Sequence, residues 1–288
     1  MMAKQRIEVQ PLISHRIAIE EAKQAYELIT SSRAPLGILL TYPEAERRGG
    51  AADTFRIVPL TEPSTKLTKE APRVSFIGAG NYAAGVLIPA FKGCGVELSQ
   101  IVSAGGVSSL HYGRKFGFAK ASTDPAAVIS DPVVDIIVIA TRHNTHAHYV
   151  VQALEAGKHV FVEKPLALTH EELEKVEHAV SHAQGQLLMV GFNRRFAPQI
   201  RKVKELLASV SSSKVFLMTV NAGAIPSDHW IQDPLVGGGR LLGEACHFID
   251  LLRFLAGAQI QSYEVAKMDS TTRDTVCLLY TSPSPRDS

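Results

Sequence analysis

From residue 73 onward, short continuous apolar runs alternate with longer segments whose apolar residues recur at helical spacing. Strands are predicted at Val74–Ile77, Leu98–Val102, Asp135–Ala140, Val160–Val162 and Leu187–Val190. Helices are predicted at Ala83–Lys92, Ser108–Phe116, Pro125–Ser130, His146–Ala156, His170–Ala183 and Pro198–Ala208. The strands are apolar at successive positions rather than at every second one. A parallel sheet covered on both faces requires that pattern. The strand–helix repetition predicts a doubly wound parallel (Rossmann) α/β sheet with right-handed crossovers. After Ser213 the texture changes. A longer strand at Val215–Val220, a loop with Gly237, Gly238 and Gly239, and a helix over about Glu244–Leu255 predict the start of a second, α+β domain.

Upstream, Leu12 and Ile13 read as a short extended piece and Ser14–Ile29 as an amphipathic helix, followed by a strand at Leu36–Leu40. Residues 1–42 are too few to form a domain by themselves. The segment 43–72, rich in Glu, Arg, Gly, Thr and Pro, reads as a linker containing a short strand at Thr54–Leu60. The expected division is therefore 1–42, a linker at 43–72, a dinucleotide-binding domain at 73–192 and part of a second domain at 193–277. Residues 278–288 are polar, contain prolines and share no pattern with what precedes them. They read as a non-native tail on a truncated gene fragment.

Chemistry enters at two places in this pattern. The first predicted strand runs into Gly78-Ala-Gly80-Asn81-Tyr82-Ala83. There Gly78 allows a tight turn, Gly80 lets backbone approach a pyrophosphate, and Ala83 takes the small position where helix and strand pack. The helix that follows presents unpaired N–H groups to phosphate. The second place is Glu163-Lys164-Pro165, which closes a later strand of the same sheet. Ligands of doubly wound sheets bind beyond the carboxyl ends of the strands. A lysine there can hold a hydroxyl and exchange its proton. Glu163 either orients Lys164 or is solvated, and Pro165 sets the chain direction, a cis bond being one way to do so. His247 is the other acid/base candidate, with Asp250 three residues on; the plainer reading is a packed or capping histidine. Arg194 and Arg195 suit cofactor, an anionic sugar substituent, or ordinary surface charge.

Composition narrows the partners. With 288 residues and 45% hydrophobic positions the chain can bury sizeable cores, and a net charge of +2 points to neither nucleic acid nor an anionic membrane. Cys94, Cys246 and Cys277 are far apart and lack metal spacing, which fits a reducing cytoplasm. His143, His146 and His148 have no cysteine or carboxylate at ligand spacing, so no metal is expected. No apolar run approaches the ~20 residues of a membrane span.

The stretch from Arg73 to about Ala256 resembles the Gfo/Idh/MocA oxidoreductases. The resemblance rests on Gly78-Ala-Gly80-Asn-Tyr-Ala83, on Ala140-Thr141…His146 continuing into Ala156-Gly-Lys-His-Val-Phe-Val-Glu163-Lys164-Pro165, and on Gly237-Gly-Gly239…His247-Phe-Ile-Asp250. Residues 11–42 resemble the C-terminal end of a zinc-type alcohol dehydrogenase, and the combination resembles bidomain oxidoreductases. The resemblance implies hydride transfer between NAD or NADP and a secondary alcohol or carbonyl of a sugar or cyclitol. It assigns catalysis to Lys164 and His247, and cofactor binding to Gly78, Gly80, Asn81, Tyr82, Ala83, Thr141, His146, Glu163, Lys164 and Arg195. It further implies a homo-oligomer formed through the substrate-domain sheet. His146 is the cofactor-side histidine on this reading, and His143 and His148 are solvated. The chain departs from the family at Arg142 and His143, where two prolines are usual, and at Gly243, where an aspartate is usual. Val102-Ser-Ala-Gly-Gly106 lacks the acid that grips an adenosine ribose, which leaves NAD and NADP open. These departures keep a second reading in view, a dinucleotide-binding sensor. Zinc alcohol dehydrogenase chemistry is set aside because no cysteine precedes Cys94.

Overall fold

The computed structural model describes residues 10–31, 35–41, 56–60, 71–210, 212–269 and 275–281. They form two compact units that divide between Arg56 and Ile57. In the first unit a 3-10 turn at Gln10–Leu12 stands where an extended piece is expected. It leads to β1 (His15–Ala18), α1 (Ala22–Ile29) and β2 (Ile38–Thr41), with β1 and β2 paired in parallel. The helix expected from Ser14 thus begins only at Ala22. His15–Ala18 instead puts Ile17 inward between exposed neighbours, as a strand with one covered face does.

The second unit is built on a seven-stranded sheet. Its strands are β3 (Ile57–Pro59), β4 (Arg73–Ile77), β5 (Glu97–Val102), β6 (Lys120–Ser122), β7 (Ile136–Ile139), β8 (His159–Val162) and β9 (Leu188–Val190). The order across the sheet is β3-β6-β5-β4-β7-β8-β9, and only β3 runs antiparallel to its neighbour. This is the doubly wound parallel sheet that the apolar runs predict. The strand order reverses between β4 and β7, and the crevice at their carboxyl ends is where such sheets bind ligands. The three-residue β6 was not anticipated, because Lys-Ala-Ser carries no apolar run. Residues 43–55 and 61–70 of the expected linker lie outside the described residues.

Helices cover both faces. A wide π-type turn at Ala83–Leu87 runs into α2 (Ile88–Gly93), and α3 (Val107–Phe116) follows β5. On that side Val74, Phe76, Ile101, Phe118 and Val138 are buried together, with Phe76 edge-on to Phe91 and Phe118 at 5.6 and 5.7 Å. On the other face α4 (Pro125–Ile129), α5 (His146–Glu155) and α6 (His170–His182) pack on Ile77, Ile137, Ile139, Val160 and Val162. Ile137 and Ile139 serve one core and Val138 the other, which is why β7 is apolar throughout. Lys158 is buried beside it, and its ammonium donates to the carbonyls of Asp131 and Val134 at 2.7 Å each, so the charge is not left unpartnered. Asp124 caps α4 and Thr169 caps α6.

Beyond β9 come α7 (Pro198–Ala208), α8 (Cys246–Ala256) and an antiparallel pair, β10 (Ser262–Lys267) with β11 (Val276–Thr281). The strand expected at Val215–Val220 is absent. That segment runs without regular pairing, and Val215 and Leu217 are 95% and 96% exposed. β11 begins inside the expected second domain and takes in the first four residues, 278–281, of the segment read as a tail; residues 282–288 lie outside the described residues. Among the described residues no helix is long and apolar enough to cross a membrane.

Candidate active site

A cavity of about 870 Å³ opens at the carboxyl ends of β4, β5, β7 and β8, large enough for a sizeable ligand. One wall is the turn after β4. Gly78 has φ +109°, and a Cβ there would lie 2.2 Å from the Ala140 carbonyl oxygen. The turn therefore rests directly on the end of β7, and a side chain would both strain the backbone and push the strands apart. Gly80 differs: a Cβ there meets nothing within 4 Å, because that side of the backbone is open space. Ala83 is 1% exposed and packs the helix down, as its small size requires. Tyr82 reaches across the cavity, where its hydroxyl accepts from Asn193 Nδ2 at 2.9 Å. Burial and the Glu163 charge push its phenol above the usual range.

At the end of β5 the lining is Ser103, Ala104, Gly105, Val107 and Ser108, with no carboxylate. The Ser103 hydroxyl accepts from the Ser109 backbone N–H at 3.0 Å, in the first turn of α3.

The opposite end carries the ionisable groups. β8 delivers Glu163 and Lys164, and the peptide between Lys164 and Pro165 is cis. Lys164 Nζ donates to the Gly243 carbonyl oxygen at 2.5 Å. The backbone of Gly243, and not a carboxylate, thus meets the ammonium. A side chain at 243 would crowd its neighbours: a Cβ would lie 2.9 Å from Ile231 Cδ1 and 3.1 Å from His143 Cε1. Glu163 is partly buried, which pushes its carboxyl up while Lys164 opposes the shift. Its Oε1 is buried without a hydrogen-bond partner, and so is Nδ1 of His247. Orphaned buried polar atoms are costly, and these two lie on residues lining the same cavity. His247, in the first turn of α8, is held down to about 4, by burial first and then by the charges of Lys164 and Arg194.

Thus Gly78, Gly80, Asn81, Tyr82, Ala83, Thr141, His146, Glu163, Lys164 and His247 all line one cavity. Tertiary contacts place Arg195 and His146, and one reading, His143 as solvated, is corrected. Arg195 is not in the lining; its guanidinium makes a two-point ion pair with Asp250, 2.9 Å through Nε, and stacks on Phe254. His146 is fully buried, with Nδ1 2.7 Å from the Pro165 carbonyl and Nε2 3.2 Å from that of Thr141, so it ties two strand ends together beneath the cavity. His143 is not solvated. It is 6% exposed, its Nδ1 donates to the Gly237 carbonyl at 2.8 Å, its ring meets Trp230 at 4.8 Å, and burial lowers it to about 4. His148 is exposed as expected. Trp230 was missed. Its one available signal is that it is the chain's single tryptophan, in a stretch with no periodicity.

The chain is similar to known oxidoreductases. Residues 72–192 match the model of an oxidoreductase family with an NAD-binding Rossmann fold, Gfo/Idh/MocA. The chain is 33% identical over 150 residues to myo-inositol 2-dehydrogenase of Thermotoga maritima, covering 51% of this chain and 44% of that one. It is 35% identical over 152 residues to the NAD-dependent scyllo-inositol 2-dehydrogenase of Bacillus subtilis, covering 52% and 43%. The chain therefore spans under half the length of these curated relatives. Among solved structures, levoglucosan dehydrogenase in complex with NADH and levoglucosan superposes with a TM-score of 0.62 at 26% identity, over 70% of this chain and 58% of that one.

Proposed function

We propose that this chain is part of a Gfo/Idh/MocA oxidoreductase that oxidises a secondary alcohol, or reduces the corresponding carbonyl, of a sugar or cyclitol; the match of residues 72–192 to that family's NAD-binding Rossmann domain supports the reading. The observation that carries the reading is the convergence of Lys164 and His247 at one end of a cavity whose other wall is the Gly78–Ala83 turn. Bound NAD or NADP supplies the hydride chemistry. Backbone at Gly80 and the N-terminus of the following helix receive the pyrophosphate, and the open space at Gly80 fits that role. Tyr82, Asn193 and Thr141 line the path toward Lys164.

At the reacting end Lys164 uses one of its three protons on Gly243 and keeps two for the substrate oxygen. His247 is neutral at pH 7 and able to accept a proton. As an alcohol becomes a carbonyl, Lys164 hands a proton to neutral His247 and takes the hydroxyl proton in its place; in reduction the relay runs the other way. We read residues 1–42 as the end of a zinc-type alcohol dehydrogenase, 193–277 as part of a substrate domain, and the site as cytoplasmic.

The test is a panel of sugars and cyclitols offered with each nicotinamide cofactor, following the absorbance of the reduced nicotinamide. Cofactor-dependent turnover supports the reading. Cofactor binding without turnover on any member favours the sensor, the reading that Gly243 in place of a carboxylate keeps open. Failure to bind either cofactor overturns both.

A further inference from the structure

The Lys164–His247 end of the cavity carries more positive charge than a neutral polyol requires. Arg142 follows β7, lines the cavity, and holds its guanidinium carbon 5.9 Å from the centroid of Trp230. Trp230 is braced in turn by His143, which bonds Gly237, and the Asn144 N–H donates to the Val236 carbonyl at 3.1 Å. The loop bearing Arg142 is thus laced to the segment bearing Trp230. Among the described residues no carboxylate pairs with Arg142 or with Arg194, whose guanidinium lies 4.5 Å from the Phe248 ring. The carboxylates that act on His247 are already engaged, Asp250 with Arg195 and Glu244 with Arg240. Glu163 is the remaining acid in the lining, and the charge it faces is that of its neighbour Lys164.

We propose that the substrate bears an anionic substituent, a carboxylate or a phosphate ester, and that Arg142 braced on Trp230 receives it beside Lys164 and His247. This deepens the oxidoreductase reading and rests on it. The exposed Arg142 guanidinium keeps a cation–π contact with the indole, and its planar fork suits two-point binding of an oxyanion. The cofactor's own phosphates have other places. The pyrophosphate belongs at the Gly78–Ala83 turn, and a ribose 2′-phosphate at the end of β5, beyond Ser103. Trp230 and His247 stand on the far wall.

The experiment titrates glucuronate, glucose 6-phosphate and glucose into the NADH-loaded chain by calorimetry, for the wild type, Arg142→Leu and Arg142→Lys. Charged hydrogen bonds of this kind predict that at least one anionic sugar binds roughly tenfold or more tightly than glucose. That preference should vanish in Arg142→Leu, survive in part in Arg142→Lys, and leave glucose affinity unchanged in both. Which anion gains identifies the substituent. Glucose binding as tightly as both anions overturns the proposal. So does a preference that survives Arg142→Leu, or a loss in Arg142→Leu confined to NADPH affinity. If NADH itself does not bind, the oxidoreductase reading fails separately, and the same titration of the unloaded chain still reads the Arg142 effect.

Discussion

Lys164 is oriented by a backbone carbonyl rather than by a carboxylate, 2.5 Å from the oxygen of Gly243. A carbonyl cannot take up the proton, so the lysine depends on substrate and on His247 for exchange. General acid–base groups contribute ~10²–10⁴-fold in rate. Lys164→Ala should lower turnover by about that factor and leave cofactor affinity nearly unchanged. Lys164→Arg should not restore it, because a guanidinium does not release its proton near neutral pH. Steady-state kinetics beside cofactor titration separates the two effects, and wild-type turnover in Lys164→Ala would contradict the role. The buried histidines make a second residue-scale prediction. His143 and His247 are each lowered from the ordinary 6.5 to about 4, burial being the main cause. Below pH ~6.5 the unfolded chain therefore binds protons that the folded one refuses. Their contribution to stability is full above that pH and is lost as pH falls toward 4. Thermal melts across this range should show the decline. His143→Asn, which keeps a donor for Gly237 and cannot titrate, should make it shallower by about one proton; an unchanged slope would contradict the assignment.

At the scale of elements, β5 decides cofactor choice. It ends at Val102, and the Ser103 hydroxyl accepts from the first turn of α3 while keeping its own proton to donate. Nothing lining that end is a carboxylate that would hold a ribose 2′-hydroxyl or repel a 2′-phosphate. The ratio of NAD to NADP affinities should therefore stay below roughly a hundredfold, about 2.7 kcal/mol; fluorescence titration of both reduced cofactors checks it, and a larger preference for NAD would count against this account. The same elements show what could be read in advance. β4, β5, β7 and β8 were legible because strands covered on both faces leave continuous apolar runs; the edge strand β9 is apolar too, although Met189 is exposed. β6 is too short and too polar to leave one. β10 is exposed at every position, so its pairing with β11 rests on backbone hydrogen bonds that leave no burial pattern. Val215–Val220 has the composition of a strand and, among the described residues, no partner strand.

In the whole molecule, all the lining residues belong to the second unit, from Gly78 to His247. The parts of the site carried by local motifs, the Gly78–Ala83 turn and Glu163-Lys164, were legible because a strand end fixes where they point. Tertiary partners decide the rest. Arg195 is claimed by Asp250 on α8, and His143 is drawn into the interior by Gly237 and Trp230, contacts between distant segments that no spacing reveals. The central claim is that this cavity holds a nicotinamide dinucleotide over the open backbone at Gly80. The most direct measurement is calorimetric titration of NADH and NADPH into the wild-type chain and into Gly80→Val, with circular dichroism to show that both are folded. The account predicts saturable one-to-one binding by the wild type and its loss in a folded Gly80→Val, since the valine would fill the space a pyrophosphate needs. Equal affinity in the two folded proteins would contradict it.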